Sequence, residues 1–132
     1  IPCDRRSPIY EATRRELGAA LLRKPERLAR LVRGVAEQSP KPLTVKVRLA
    51  PHGGEVNVRE VVDLLRDAGA AGVTIHGRTS TDRYTKLADW DVIRQVVDDG
   101  VRRGSAMPII GNGDIMTQAQ AHTRLAQAGV DA

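Results

Sequence analysis

The chain has a single cysteine, Cys3, in 132 residues, so no internal disulfide framework holds it together. No apolar run approaches the 18 or so residues that a membrane-spanning helix needs, and no low-complexity segment or interdomain linker interrupts the pattern. These absences point to an intracellular globular protein, expected in the cytoplasm, with the nucleus as the alternative. Neither a start methionine nor a signal-peptide pattern opens the sequence, and Gly129-Val-Asp-Ala132 reads as the approach to a further strand. The 132 residues are therefore read as a segment of a longer protein.

Hydrophobic residues make up 41% of the chain, enough for one modest core. The formal charge of +5 is unevenly distributed. Residues 1–48 hold 12 Lys/Arg against 5 Asp/Glu, and the remainder holds 9 against 11. Such a basic first third suits a phosphate backbone, or else is the solvated face of a helix.

Three apolar, largely β-branched stretches recur, and each ends abruptly in polar residues. They are Leu43-Thr-Val-Lys-Val-Arg48, Val73-Thr-Ile-His-Gly-Arg-Thr79 and Met107-Pro-Ile-Ile-Gly-Asn-Gly-Asp114. Short β-branched runs fit buried strands, predicted near 43–48, 72–76 and 107–111. Lys46, His76 and Asn112 lie 30 and 36 residues apart, about one strand–helix unit each. The stretches between have helical period. Lys24-Pro25-Glu26 opens the first helix, with Leu28, Leu31, Val32 and Val35 on one face and Arg23, Arg27 and Arg30 on another. Asn57 and Glu60 have capping-box spacing before the Val58, Val61, Val62, Leu65, Ala68 stripe. Asp89 is the expected cap of a helix facing inward through Trp90, Ile93, Val96 and Val97, with Gly100 and Gly104 breaking it. Thr117 and Gln120 form a second capping box, and Gly129 ends that helix.

The implied fold class is α/β, with parallel strands alternating with helices and polar groups at the C-terminal strand ends, as in part of a TIM (β/α)8 barrel. A complete barrel needs about 250 residues, so residues 1–132 are expected to be its central segment.

Within that frame Lys46 is a cation whose side chain points opposite to those of Val45 and Val47. It either enters the lumen, where it would stabilise an anionic ring or enolate, or reaches solvent at the strand end. Arg48 shares its face. His76 is either a structural hydrogen-bonder or a functional group, and its neighbours favour the second. Gly77 permits close approach, while Arg78 and Thr79 offer a fork and a hydroxyl for phosphate or a pyrimidine edge. Gly111-Asn-Gly-Asp114 reads as a backbone nest for phosphate oxygens or as an ordinary Asn-Gly turn. No metal site is expected.

Taken in order, Thr44–Arg48, Ile75-His-Gly-Arg-Thr79, Tyr84 with Ala88-Asp-Trp90, and Ile110-Gly-Asn-Gly-Asp-Ile115 resemble the tRNA-dihydrouridine synthases, and Arg83–Trp90 is similar to their eukaryotic type-3 branch. The resemblance spans nearly the whole chain. It implies a flavin-binding barrel that reduces a specific uridine of tRNA to 5,6-dihydrouridine by hydride transfer from reduced FMN, with NAD(P)H as reductant. It also implies that Lys46 and His76 contact the flavin, that Asn112, Gly113 and Asp114 lie at its ribityl-phosphate region, and that Arg48, Arg78 and Tyr84 line the uridine pocket. Where the family has its Cys-Pro proton donor, alignment on Gly18–Leu22 places Ser7-Pro8, and a hydroxyl is a far weaker acid than a thiol. Cys3 is four residues earlier, up to about 14 Å along an extended chain. Two other readings stay open: a catalytically impaired tRNA-binding homologue, and another FMN-dependent barrel such as a dihydroorotate-dehydrogenase-like enzyme.

Overall fold

A computed structural model of the chain describes residues 18–51, 54–82 and 85–132. Ser7, Cys3 and Tyr84 lie outside the described residues. The three apolar runs form strands β1 (Thr44–Arg48), β2 (Gly72–His76) and β3 (Ile109–Asn112), hydrogen-bonded in parallel in the order β1-β2-β3. A 3-10 helix at Gly18–Arg23 leads into α1 (Pro25–Gln38); α2 (Val58–Asp67), α3 (Trp90–Arg102) and α4 (Gln118–Ala128) then follow the three strands in turn. The fold is α/β, with parallel strands alternating with helices, as the periodicity predicts.

Strand side chains alternate between two faces. Val47, Val73, Ile75 and Ile109 are buried against Val58, Val62 and Leu65 of α2 and Trp90, Ile93 and Val96 of α3, in one continuous core. Full burial of a side chain such as Ile93 contributes about 1.5–3 kcal/mol. The opposite face carries Lys46, Arg48, Thr74, His76 and Asn112, of which Lys46 and Asn112 are exposed. A sheet covered on one side by helices and polar on the other is an arc of a (β/α)8 barrel, in which the polar side faces the lumen. Beyond α4 the Asp131 N–H donates to the Ile109 carbonyl at 2.9 Å and the Gly111 N–H to Ala132 at 2.8 Å, so the chain runs on beside β3.

The caps explain where most helices begin. Pro25 occupies the first turn of α1, the Asp89 carboxylate accepts from Val92 N–H, and Thr117 and Gln120 close both bonds of a capping box. Gly129, at φ 65°, ends α4 in the left-handed conformation. Three expectations need correction. Asn57 precedes α2 but makes no side-chain cap; its Nδ2 donates instead to the Leu22 carbonyl at 2.7 Å, tying α2 to the 3-10 helix. Gly100 lies inside α3, buried, where an added Cβ would stand 3.4 Å from an Arg66 guanidinium nitrogen. Leu31 and Val35 are 55% and 43% exposed, although α1 packs on both α2 and the 3-10 helix.

Candidate active site

The ladder register aligns Arg48 with His76 and His76 with Asn112 across the C-terminal ends of the strands, with Lys46, Thr74 and Ile110 one row below. Because positions two apart share a face, Lys46 and Asn112 look out from the same side of the sheet, and Lys46 Nζ donates to Asn112 Oδ1 at 2.8 Å. The bond spans β2, so residues 66 apart in sequence converge beside His76. Partial burial, then the positive charge of Arg48, lower the Lys46 pKa. The same two causes, with Lys46 and Arg78 adding to them, lower that of His76 below its ordinary value, which favours the neutral imidazole.

Behind this face lies an interlock that the sequence motifs did not reveal. Gly77 sits where an added Cβ would be 3.0 Å from both Ala88 Cβ and Asp89 N, and the Asp89 N–H donates to the Gly77 carbonyl at 2.6 Å. Gly113 adopts φ +127° and faces Ala88 from the other side, 2.7 Å from where its Cβ would be. The close approach at these two glycines is therefore made by the Ala88-Asp89 segment of the chain itself. Below them the Trp90 ring lies under Gly111, so near that an added Cβ would stand 2.3 Å from Cζ3, and Trp90 Nε1 donates to the Gly113 carbonyl at 3.1 Å. The signal for this contact was a glycine at a strand position whose parity faces the helices.

Arg78 and Asp114 belong to the interlock rather than to an exposed surface. Arg78 is 2% exposed; its Nε donates to the Lys86 carbonyl at 2.6 Å and its Nη2 to Asp114 Oδ1 at 2.5 Å. Asp114, held at φ 56°, accepts the Ala88 N–H on Oδ2 at 2.6 Å. That bond, followed by Arg78, depresses its pKa. Arg48 reaches over the rim to the Thr79 carbonyl at 2.7 Å, and Asp82 caps the same loop by accepting from Thr79 N–H at 2.8 Å. The structure thus brings Lys46, His76 and Asn112 together on the open face and places Gly113, Asp114 and Arg78 behind them. Among the described residues no three His, Cys, Asp or Glu side chains cluster as metal ligands do, and no helix is long and apolar enough to cross a membrane. A groove of about 470 Å³ lined by Arg30, Leu31, Gly34 and Val35 lies along α1, in the helical layer and apart from these groups.

The dihydrouridine synthase (Dus) profile matches residues 7–132. The human tRNA-dihydrouridine(47) synthase NAD(P)(+)-like protein is 38% identical over 123 residues, 93% of this chain and 18% of the human one. The protein of the same name from Oryza sativa subsp. japonica is 37% identical over 110 residues, 83% of this chain and 16% of its own length. Probable tRNA-dihydrouridine synthase 1 of Synechocystis sp. is 36% identical over 124 residues, 94% of this chain and 34% of that protein. The chain thus spans between about a sixth and a third of these relatives. With the profile covering almost its whole length, and its motifs gathered at the ends of three parallel strands, the chain belongs to the dihydrouridine synthase family.

Proposed function

We propose that residues 1–132 form the central arc of a flavin-binding TIM barrel that reduces a uridine of tRNA to 5,6-dihydrouridine, with FMN as the flavin and NAD(P)H as the reductant. The observation that carries this reading is the Lys46–Asn112 bond across the open face of the sheet, with His76 beside it. A cation, a carboxamide and a neutral imidazole on a polar sheet face are the donor set that an electron-rich heterocycle with carbonyl oxygens requires, so the residues present fit a flavin. When bound and reduced, FMN supplies the hydride.

The chain's own residues bind and orient. Lys46 donates to an acceptor on the ring and offsets negative charge there, and Asn112 fixes the direction of its ammonium group. His76 donates from a neutral ring. Gly113 and Asp114, adjoining the ribityl-phosphate region in this reading, act chiefly by holding Asn112 and His76 in place through the Ala88 and Arg78 contacts. Arg48 and Tyr84 are assigned to the uridine side, and the basic first third to the tRNA backbone. Arg78, being buried, supports the site from within. Membership of the family and the basic first third count against a small-molecule dehydrogenase.

Lys46→Met in the complete protein tests the reading. Loss of one preorganised donor costs about 10²–10³-fold in turnover, so flavin content or the rate of dihydrouridine formation should fall while tRNA affinity holds. Full flavin occupancy with undiminished dihydrouridine formation would refute it.

A further inference from the structure

We propose that Arg78 is a positioning residue acting through His76: its guanidinium occupies the Nε2 lone pair, fixes the imidazole proton on Nδ1, and makes His76 a neutral hydrogen-bond donor rather than a general acid or base. The geometry is direct. Arg78 Nη1 lies 3.3 Å from His76 Nε2. A guanidinium has only donors, so at this contact Nε2 must accept, and a neutral ring that accepts at Nε2 carries its proton on Nδ1.

Arg78 is not able to swing away and release that nitrogen. Its Nε is bonded to the Lys86 carbonyl and its Nη2 to Asp114, which is itself pinned by the Ala88 N–H. The Cδ2 and Nε2 edge of the ring faces Gly113, 3.2 and 3.6 Å from the point where a Gly113 Cβ would be. Nδ1 lies on the opposite edge, and among the described residues it has no hydrogen-bond partner. The charged groups around the ring are Lys46 and Arg48 from β1, Arg78 from the loop after β2, and Asp114 from the turn after β3. Three cations face one carboxylate, and that carboxylate is already engaged, which disfavours an imidazolium.

The consequence for chemistry rests on the flavin reading above: His76 presents Nδ1–H to an acceptor oxygen, such as a carbonyl or phosphate oxygen of the cofactor, and moves no proton during turnover. The tautomer itself does not rest on that reading. It is measured on the chain without flavin or tRNA, by long-range 1H–15N correlation of histidine side chains. Three histidines are present, His52, His76 and His122, and His76→Gln assigns the relevant signals.

At about pH 7 we expect Nδ1 to show the protonated, pyrrole-type shift and Nε2 the lone-pair, pyridine-type shift. In Arg78→Met the two should interchange, because the Nε2–H form is the one an unconstrained imidazole prefers, and the ring should titrate at higher pH than in the wild type. A buried but merely structural arginine would leave the tautomer where it was. An Nε2–H ring or an imidazolium in the wild type overturns the proposal, as does an unchanged tautomer in a folded Arg78→Met chain. Should that variant lose its amide dispersion, the wild-type spectrum alone decides. Failure of the complete protein to bind flavin would defeat the functional reading and leave this result standing.

Discussion

Gly111→Ala is the smallest change that tests whether the strand ends are set by the helix layer behind them. The added methyl would sit 2.3 Å from Trp90 Cζ3 and 2.6 Å from Cη2, more than about 1 Å inside ordinary carbon contact. The neighbouring atoms are an indole ring that is itself 2% exposed, not the free end of a flexible side chain. Overpacking of this kind costs about 1–3 kcal/mol. If the ring tilts to make room, the Nε1 bond to Gly113 is lost as well, a further contribution of about 0.5–1.5 kcal/mol. A total of about 2–4 kcal/mol is a large share of the stability of a domain this size. Urea unfolding followed by far-ultraviolet circular dichroism measures it. Trp90 is the sole tryptophan, so its emission should shift to the red in the variant at the same time. Trp90→Phe removes the atoms in conflict, and the Gly111→Ala change should therefore cost markedly less in that background, with a coupling of at least about 1 kcal/mol. A single variant within about 0.5 kcal/mol of wild type, with unshifted emission, would show that the interlock is not as described.

Asp114→Ala should destabilise by about 3–5 kcal/mol, because it strands a guanidinium whose side chain is 3% exposed; Arg78→Met should cost less, since the carboxylate left behind is 26% exposed and keeps the Ala88 N–H. Equal losses in chemical unfolding would contradict this asymmetry. Asp99 accepts from Arg59 of α2 and from Arg102 of its own helix, and the Arg59 bond is the main reason its pKa falls to about 2. Its folded-state value lies below its unfolded one, so its stabilisation is complete above about pH 4 and disappears as pH falls toward about 2. Asp99→Asn should flatten the acid limb of the stability profile in that window and leave its slope near neutrality unchanged. For Ser7, outside the described residues, replacement by Cys in the complete protein should raise tRNA-dependent flavin oxidation, by up to the 10²–10⁴-fold or so that general acid catalysis contributes, with little change in tRNA affinity. No gain there, combined with a loss on Cys3→Ala, would make Cys3 the proton donor.

What was legible in the sequence followed from local physics. The β-branched runs before Lys46, His76 and Asn112 required strands whose polar ends align; the register pairs His76 with Asn112 but puts Arg48 in their row, with Lys46 two residues lower, opposite Thr74. Pro25, Asp89 and the Thr117–Gln120 pair announced helix starts because each satisfies, or does without, a backbone donor within one turn. Periodicity also placed Leu31 and Val35 on the apolar side of α1, but a 3.6-residue repeat says which residues share a face and not how wide a neighbour covers it, and these two stay exposed. Asn57 failed as a side-chain cap for the same kind of reason, since the carbonyl it serves, that of Leu22, is 35 residues away.

The contacts of Gly77, Arg78, Gly113 and Asp114 were decided by tertiary structure alone. Read singly, glycines beside an arginine and an aspartate at strand ends suggest phosphate and substrate contacts. In the folded chain Ala88 fills the space beside both glycines, and the two charges meet across 36 residues at a place where Arg78 is too buried to stand unpaired. Local sequence establishes which chemical groups reach the ends of the strands. Which of them turn outward to bind, and which turn inward to hold the others, depends on what the helix layer leaves uncovered, and that is a property of the assembled layers.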